Sequence, residues 1–134
     1  MKKIGGFTIV ELVVVIAIIS ILAGLSIPIY MKYQQKSKVS SYALPVVKAC
    51  AYDAAGVCQE LQLSSNTSID ISTLKNCQNT IVPYGSLTVN LSGSVICQSD
   101  GYVNDGTIRG ILNGITDYTA ICILNNKGIE CTVR

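Results

Sequence analysis

Residues 12–29 form an uncharged apolar run, LVVVIAIISILAGLSIPI, and this run limits what the chain can fold into more than any other feature. A bilayer core takes ~20 apolar residues as a helix. The run is therefore long enough to span a membrane, or to be buried on all sides in a helical bundle. A secretory signal peptide is an alternative, because Lys2 and Lys3 precede the run. It fits poorly, because the run is long for a signal peptide and the candidate cleavage pattern stands before it.

Two features beside the run argue against a plain membrane anchor. Glu11 stands one residue before the run, and a carboxylate so close to hydrocarbon is costly unless it is paired. Gly5-Gly6-Phe7 provides a small, flexible pair that a protease could bind in an extended conformation. The plain anchor, with Glu11 only marking the membrane interface, is the simpler alternative.

With these residues in view, the sequence resembles a known family. Residues 2–30, KKIGGFTIVELVVVIAIISILAGLSIPIY, are similar to the N-terminus of type IV pilins and their pseudopilin relatives. In that family a short basic leader ending in Gly precedes Phe-Thr-x-x-Glu and a long apolar segment. The resemblance covers residues 1–33, and the remainder of the chain is similar to the family only in general layout.

The resemblance implies a route of processing and assembly. A prepilin peptidase is expected to cut between Gly6 and Phe7, after which the new amino group of Phe7 is methylated. Glu11 is expected to pair with the corresponding amine of a neighbouring subunit. A buried carboxylate and a buried ammonium are each costly, but they nearly compensate when they are paired.

The apolar segment also contains two residues that weaken a helix. Pro28 lacks the N–H of one helical hydrogen bond, and Gly24 lowers helix stability by ~1 kcal/mol relative to Ala. In related filaments the segment before the matching proline can unwind. The resemblance therefore implies that Gly24 and Pro28 serve assembly, with residues 20–28 as the weak stretch.

The expected function is structural. The resemblance implies a type IV pilus subunit that polymerises through its N-terminal helix into an extracellular filament serving adhesion, motility or DNA uptake. A DNA-binding minor pilin and a type II secretion pseudopilin are the alternatives. The expected partners are other copies of the chain, related pilins, the prepilin peptidase and the assembly machinery of the bacterial inner membrane, which the precursor spans once.

The expected fold is α+β, the lollipop-shaped pilin fold. A leader (residues 1–6) precedes the apolar half of one long helix (7–33), and a globular head follows (34–134). The helix is predicted from about Thr8 to about Leu61, with kinks at Pro28 and Pro45. Its second half carries apolar residues in steps of three and four, which predicts one buried face: Val39, Ala43, Val46, Cys50, Ala54, Val57 and Leu61.

An antiparallel sheet of three or four strands is predicted to pack on that face. Residues 87–91 alternate apolar and polar, and residues 95–97 suggest a second short strand after a turn at Gly93 and Ser94. Residues 118–124 and 129–133 flank Asn125-Asn-Lys-Gly128 and predict a hairpin. Residues 64–80 are expected to be an irregular loop, and the glycines at positions 106, 110 and 114 to give loop flexibility.

The hairpin predicts one disulfide. A turn centred between Asn126 and Lys127 places Cys122 opposite Cys131, within ~4.5–5.5 Å between Cβ atoms, which is near disulfide reach. The C-terminal region is therefore expected outside the cytoplasm, because disulfides persist in oxidising compartments.

The other four cysteines allow more than one pairing. Cys50 and Cys58 are ~12 Å apart along a continuous helix, too far to bond to each other. Each should then meet Cys77 or Cys97, and we favour Cys58–Cys77 and Cys50–Cys97.

Composition argues against catalysis and bulk nucleic-acid binding. The chain has no histidine, so we expect no Ser/His/Asp or Cys/His centre and no enzymatic activity. No CxxC spacing occurs, and we expect no metal and no cofactor. Loss of Lys2 and Lys3 with the leader leaves eight basic against eight acidic side chains. DNA binding is therefore unsupported by net charge, although a local stripe of Lys75, Arg109, Lys127 and Arg134 is a possible DNA contact.

Overall fold

The computed structural model describes residues 1, 5–61, 64–83 and 87–134. The chain forms two compact units, Met1–Gln34 and Gln35–Arg134. A helix begins at Ile9 and continues to Glu60, as α1 (Ile9–Lys38), a π-helical turn (Val39–Ala43) and α2 (Leu44–Glu60). In the part of the chain that the structure describes, six strands follow: β1 (Thr67–Asp70), β2 (Thr80–Val82), β3 (Leu87–Cys97), β4 (Val103–Leu112), β5 (Ala120–Asn125) and β6 (Gly128–Val133). The predicted α+β pilin fold is confirmed.

The apolar segment is helical throughout, and α1 has no buried residue. The helix passes through both Gly24 and Pro28 without interruption. The hydroxyls of Ser20 and Ser26 each donate to a carbonyl four residues earlier, of Ile16 and Leu22, both at 2.7 Å. These bonds give both serine hydroxyls a hydrogen-bond partner inside the helix, so neither hydroxyl needs water as a partner in this otherwise apolar segment.

A π-helical turn interrupts the long helix just before Pro45. Leu44 N–H donates to the Val39 carbonyl, five residues earlier. Pro45 has no N–H and its ring crowds the preceding turn, and an inserted residue relieves both problems. Of the predicted face, Val39, Ala43, Cys50 and Ala54 are buried. Val46 and Val57 are only partly buried and Leu61 is exposed, whereas Val47 and Cys58, which the prediction left out, are buried.

The sheet is antiparallel in the order β1-β3-β4-β5-β6, with β2 also paired to β3. The predicted number of three or four strands was therefore too low. One face of the sheet packs against α2, and the largest fully buried side chains there include Val47, Ile108, Leu112 and Leu124. This interface between helix and sheet is the core of the second unit.

Glycines in the sheet allow close approach and do not form loops as predicted. Gly93 lies inside β3 at φ +143°, where a Cβ would collide with the Thr107 carbonyl oxygen, so the predicted turn at Gly93 and Ser94 is wrong. Gly106 and Gly110 belong to β4, and a methyl group on Gly110 would collide with the Val47 side chain. Small residues are required at these positions because backbone or helix side chains occupy the space.

The segment predicted as an irregular loop contains regular structure. β1 is followed by two short 3₁₀ turns, Ile71–Thr73 and Lys75–Cys77. The Asp70 carboxylate accepts a hydrogen bond from Ser72 N–H at 2.9 Å and caps the first turn. The Ser72 hydrogen bonds hold the pKa of the Asp70 carboxyl below its ordinary value.

The C-terminal hairpin has the predicted register. Cys122 lies opposite Cys131 and is joined to it by a disulfide, with 4.1 Å between the two Cα atoms. Asn125 closes the turn, because its side-chain oxygen accepts from the N–H groups of Lys127 at 2.9 Å and Gly128 at 3.1 Å. The local sequence is sufficient to define this element.

The other two predicted disulfides, Cys58–Cys77 and Cys50–Cys97, are wrong. The structure joins Cys50 to Cys77 and Cys58 to Cys97. After α2 the chain reverses into β1, whose first residue, Thr67, lies opposite Cys97 in β3. Cys97 is therefore near the C-terminal end of α2, and Cys77 meets the helix about two turns earlier.

Candidate processing and assembly site

The Gly6–Phe7 bond lies in an exposed stretch directly before the helix. Residues 5–8 are not helical, and the side chain of Phe7 is 87% exposed. Among the described residues, no atom apart from those of the chain neighbours lies within 4 Å of a Cβ built on Gly5 or Gly6. Both glycines are therefore dispensable for packing, and a requirement for them would come from an enzyme that binds this segment. Residues 2–4 of the predicted leader lie outside the described residues.

Thr8 and Glu11 form a reciprocal cap at the start of α1. Thr8 N–H and the Thr8 hydroxyl donate to Oε2 of Glu11 at 2.8 and 2.9 Å. Glu11 N–H donates in return to the Thr8 hydroxyl oxygen at 3.3 Å. This arrangement is a capping box, which satisfies N–H groups that a helix start leaves unpaired. The cap was not predicted from the sequence, although Thr-x-x-Glu before an apolar run is its sequence signal.

A shallow cleft adjoins this cap. It has a volume of about 200 Å³ and is lined by Gly5, Gly6, Phe7 and Glu11. The structure thus brings together three of the predicted processing and assembly residues: Gly6, Phe7 and Glu11. Gly24 and Pro28 lie further along α1, more than three helical turns beyond Glu11, and belong to a separate part of the helix.

The surface of α1 is the second component of the site. Its branched apolar side chains are exposed around the whole helix, from Val15 at 47% to Ile9 at 82%. An 18-residue window of this helix is apolar enough to cross a membrane, and none of that window is buried. Exposed apolar surface on this scale is rare in water and indicates a covering by lipid or by other helices.

The four basic residues considered for DNA binding are spread over different elements. Lys127 lies in the β5–β6 turn, whereas Arg134 follows the far end of β6, roughly 20 Å away along the strand. Arg109 is exposed in the middle of β4, and Lys75 lies in the second 3₁₀ turn. Lys127 and Arg134 therefore cannot belong to one compact patch. Among the described residues, no group of three or more His, Cys, Asp or Glu could hold a metal ion.

A comparison with known protein families matches the N-terminal part of the chain. Residues 1–27 match the family model of the prokaryotic N-terminal methylation motif. The chain thus has the class III signal of prepilin-like proteins, followed by an α+β pilin fold.

A particular relative matches nearly the whole chain. It is prepilin peptidase-dependent protein D of Escherichia coli (strain K12), which is 29% identical over 132 residues, or 91% of this chain and 85% of the relative. No solved structure gives a significant match. The family-model match and the Escherichia coli relative confirm the resemblance to type IV pilins and pseudopilins.

Proposed function

We propose that this chain is the precursor of a filament subunit of the type IV pilus class. A prepilin peptidase cuts between Gly6 and Phe7, the new amino group of Phe7 is methylated, and the mature chain polymerises through its N-terminal helix. The precursor spans the inner membrane once, and the assembled filament is extracellular. Its partners are the peptidase, other copies of the chain with related pilins, and the membrane assembly machinery.

The unburied apolar helix carries this proposal. α1 contributes no residue to a core of its own chain, so its apolar surface must be covered by other molecules. In a precursor, lipid covers it; in a filament, the helices of neighbouring subunits do. The exposed Gly6–Phe7 junction directly before this helix supports trimming at that point. The name of the Escherichia coli relative indicates dependence of that protein on the same class of peptidase.

Glu11 supplies the register of assembly. Trimming creates a positive amine at Phe7, four residues before Glu11, and both groups then enter an apolar helix bundle. A single buried charge is unfavourable, but a carboxylate paired with the ammonium of a neighbouring subunit is compensated. A new subunit therefore docks favourably only when its amine arrives opposite the Glu11 of another subunit.

Mass spectrometry of sheared surface filaments tests this proposal. A dominant mature chain that starts at N-methylated Phe7 would support a major pilus subunit. An untrimmed chain in membranes and filaments would contradict the proposal. Trimmed chain that stays out of surface filaments would favour the secretion pseudopilin or minor pilin alternatives.

A further inference from the structure

The capping box holds Glu11 by only one of its two carboxylate oxygens. Both donors of Thr8, the N–H and the hydroxyl, bond to Oε2. Among the described residues, Oε1 has no hydrogen-bond partner. A carboxylate can accept about four hydrogen bonds, so the capped side chain still has unused acceptor capacity. Glu11 is also exposed and lines the cleft beside Phe7.

We infer that Thr8 is a positioning residue for assembly, which fixes the Glu11 carboxylate so that Oε1 meets the N-terminal ammonium of a neighbouring subunit. This inference rests on the proposed pairing of Glu11 with that ammonium. A free glutamate side chain samples several rotamers and loses this freedom when it pairs. The Thr8 bonds order the side chain before docking and so remove part of that cost. Without the hydroxyl bond, which is the one that a side-chain substitution removes, subunit addition should weaken by about three- to tenfold.

The hydroxyl of Thr8 has two separable roles. As an acceptor it caps the helix through Glu11 N–H, at 3.3 Å. As a donor it holds Oε2 of Glu11, at 2.9 Å. Glycine and serine are both accepted as helix N-caps, and glycine costs only a few tenths of a kcal/mol relative to the polar caps. Only serine, however, retains a hydroxyl donor, so this pair of substitutions separates positioning from capping.

The experiment compares Thr8→Ser and Thr8→Gly in the full-length chain, in cells that make the filament. Three quantities are measured: the mass of the mature N-terminus, the helix content of the purified chain in detergent micelles, and the yield of sheared filaments. We expect both variants to be trimmed and equally helical. Thr8→Ser should assemble like the unaltered chain, and Thr8→Gly should give about three- to tenfold less filament.

Several results would overturn the positioning role. One is a filament yield for Thr8→Gly that equals or exceeds that of the unaltered chain. Another is a loss of yield in Thr8→Ser as large as the loss in Thr8→Gly. If Thr8→Gly loses helix content, Thr8→Asn serves as the second capped variant, because its amide oxygen caps the helix and its NH₂ group can replace the hydroxyl donor. Recovery of both helix content and yield in Thr8→Asn would support positioning, and recovery of helix content alone would contradict it.

Glu11→Gln, measured in parallel, separates this inference from the proposed function. Normal filaments from Glu11→Gln would show that the charge pairing itself is wrong. Impaired filaments from Glu11→Gln with normal filaments from Thr8→Gly would leave the pairing intact and refute only the role of Thr8.

Discussion

Glu11 is the carboxylate beside the apolar run, and it lies in the first turn of α1. There the N–H and the hydroxyl of Thr8 both donate to its Oε2 atom. Its hydrogen bonds to Thr8 were within reach of sequence reasoning, because Thr-x-x-Glu is a helix-start signal. The close approach of Val47 to Gly110 could not be predicted in this way, because Val47 belongs to an element that is distant in the sequence.

Replacing Glu11 with alanine should block assembly but not trimming. The substitution leaves the ammonium of a docking subunit unpaired in an apolar bundle, which is strongly unfavourable. We expect the mature chain still to start at N-methylated Phe7, with a mass that differs only by the substitution, and the yield of sheared filaments to fall by at least about tenfold. Glu60→Ala is the control, because this exposed acid lies at the far end of α2. Normal filament yield from Glu11→Ala would refute the pairing.

Gly110→Ala should destabilise the second unit. The added methyl group collides with Val47, and overpacking of this kind typically costs about 1–3 kcal/mol. Gly56→Ala is a matched control in α2, because, apart from its own helical turn, no atom of the described residues lies within 4 Å of a Cβ at that position and alanine favours helix by about 1 kcal/mol. Thermal unfolding followed by circular dichroism should show a lower midpoint for Gly110→Ala and an unchanged or higher midpoint for Gly56→Ala. The reverse order would contradict the packing of α2 on β4.

At the scale of elements, local signals were sufficient for some parts and not for others. The hairpin of β5 and β6 followed from alternation and an Asn-Asn-Lys-Gly turn, which are properties of adjacent residues. β4 was missed because its buried face includes Gly106 and Gly110, so its apolar alternation is hidden by glycine. β1 was missed because its four residues are mostly exposed and are ordered by pairing with β3. The two wrong disulfides followed from missing the chain reversal at β1.

The three disulfides should differ in their contribution to stability. They close loops with sequence separations of 39 for Cys58–Cys97, 27 for Cys50–Cys77 and 9 for Cys122–Cys131. On a chain-entropy account, a disulfide that closes a longer loop stabilises the fold more, from about 2.6 kcal/mol for the shortest loop to about 4 kcal/mol for the longest. Denaturant unfolding of paired Cys→Ser variants should therefore show the largest loss for Cys58 with Cys97 and the smallest for Cys122 with Cys131.

The measurement must follow the oxidation state of each variant. Mass spectrometry should find the remaining two bridges intact in every case, since each disulfide joins a different pair of elements. A larger loss for the hairpin bridge than for Cys58–Cys97 would contradict the ordering.

At the scale of the whole molecule, the buried core of the described residues is confined to one of the two units. The buried residues lie in Gln35–Arg134, and none lies in the described part of Met1–Gln34. The sequence changes from an all-apolar to an amphipathic pattern after Pro28. It could not locate the π-helical turn, which depends on how Pro45 is accommodated within a continuing helix.

A chain shortened to residues 35–134 should therefore fold and remain soluble without detergent. It retains the complete core and all three disulfides, and it lacks the exposed apolar surface of α1. Gel filtration should show a monomer, and the intact mass should correspond to six oxidised cysteines. Aggregation of the oxidised fragment, or free thiols in it, would show that residues 1–34 contribute to the core.

The unburied α1 also restricts how a subunit can travel. A helix with this surface is strongly disfavoured in bulk water, because leaving each Ile, Val or Leu side chain exposed costs about 1.5–3 kcal/mol relative to burying it. On the proposed function, each subunit passes from the bilayer to its neighbours without dissolving in between. Growth is then confined to the end of the filament that touches the membrane, and a detached filament cannot lengthen from a dissolved pool.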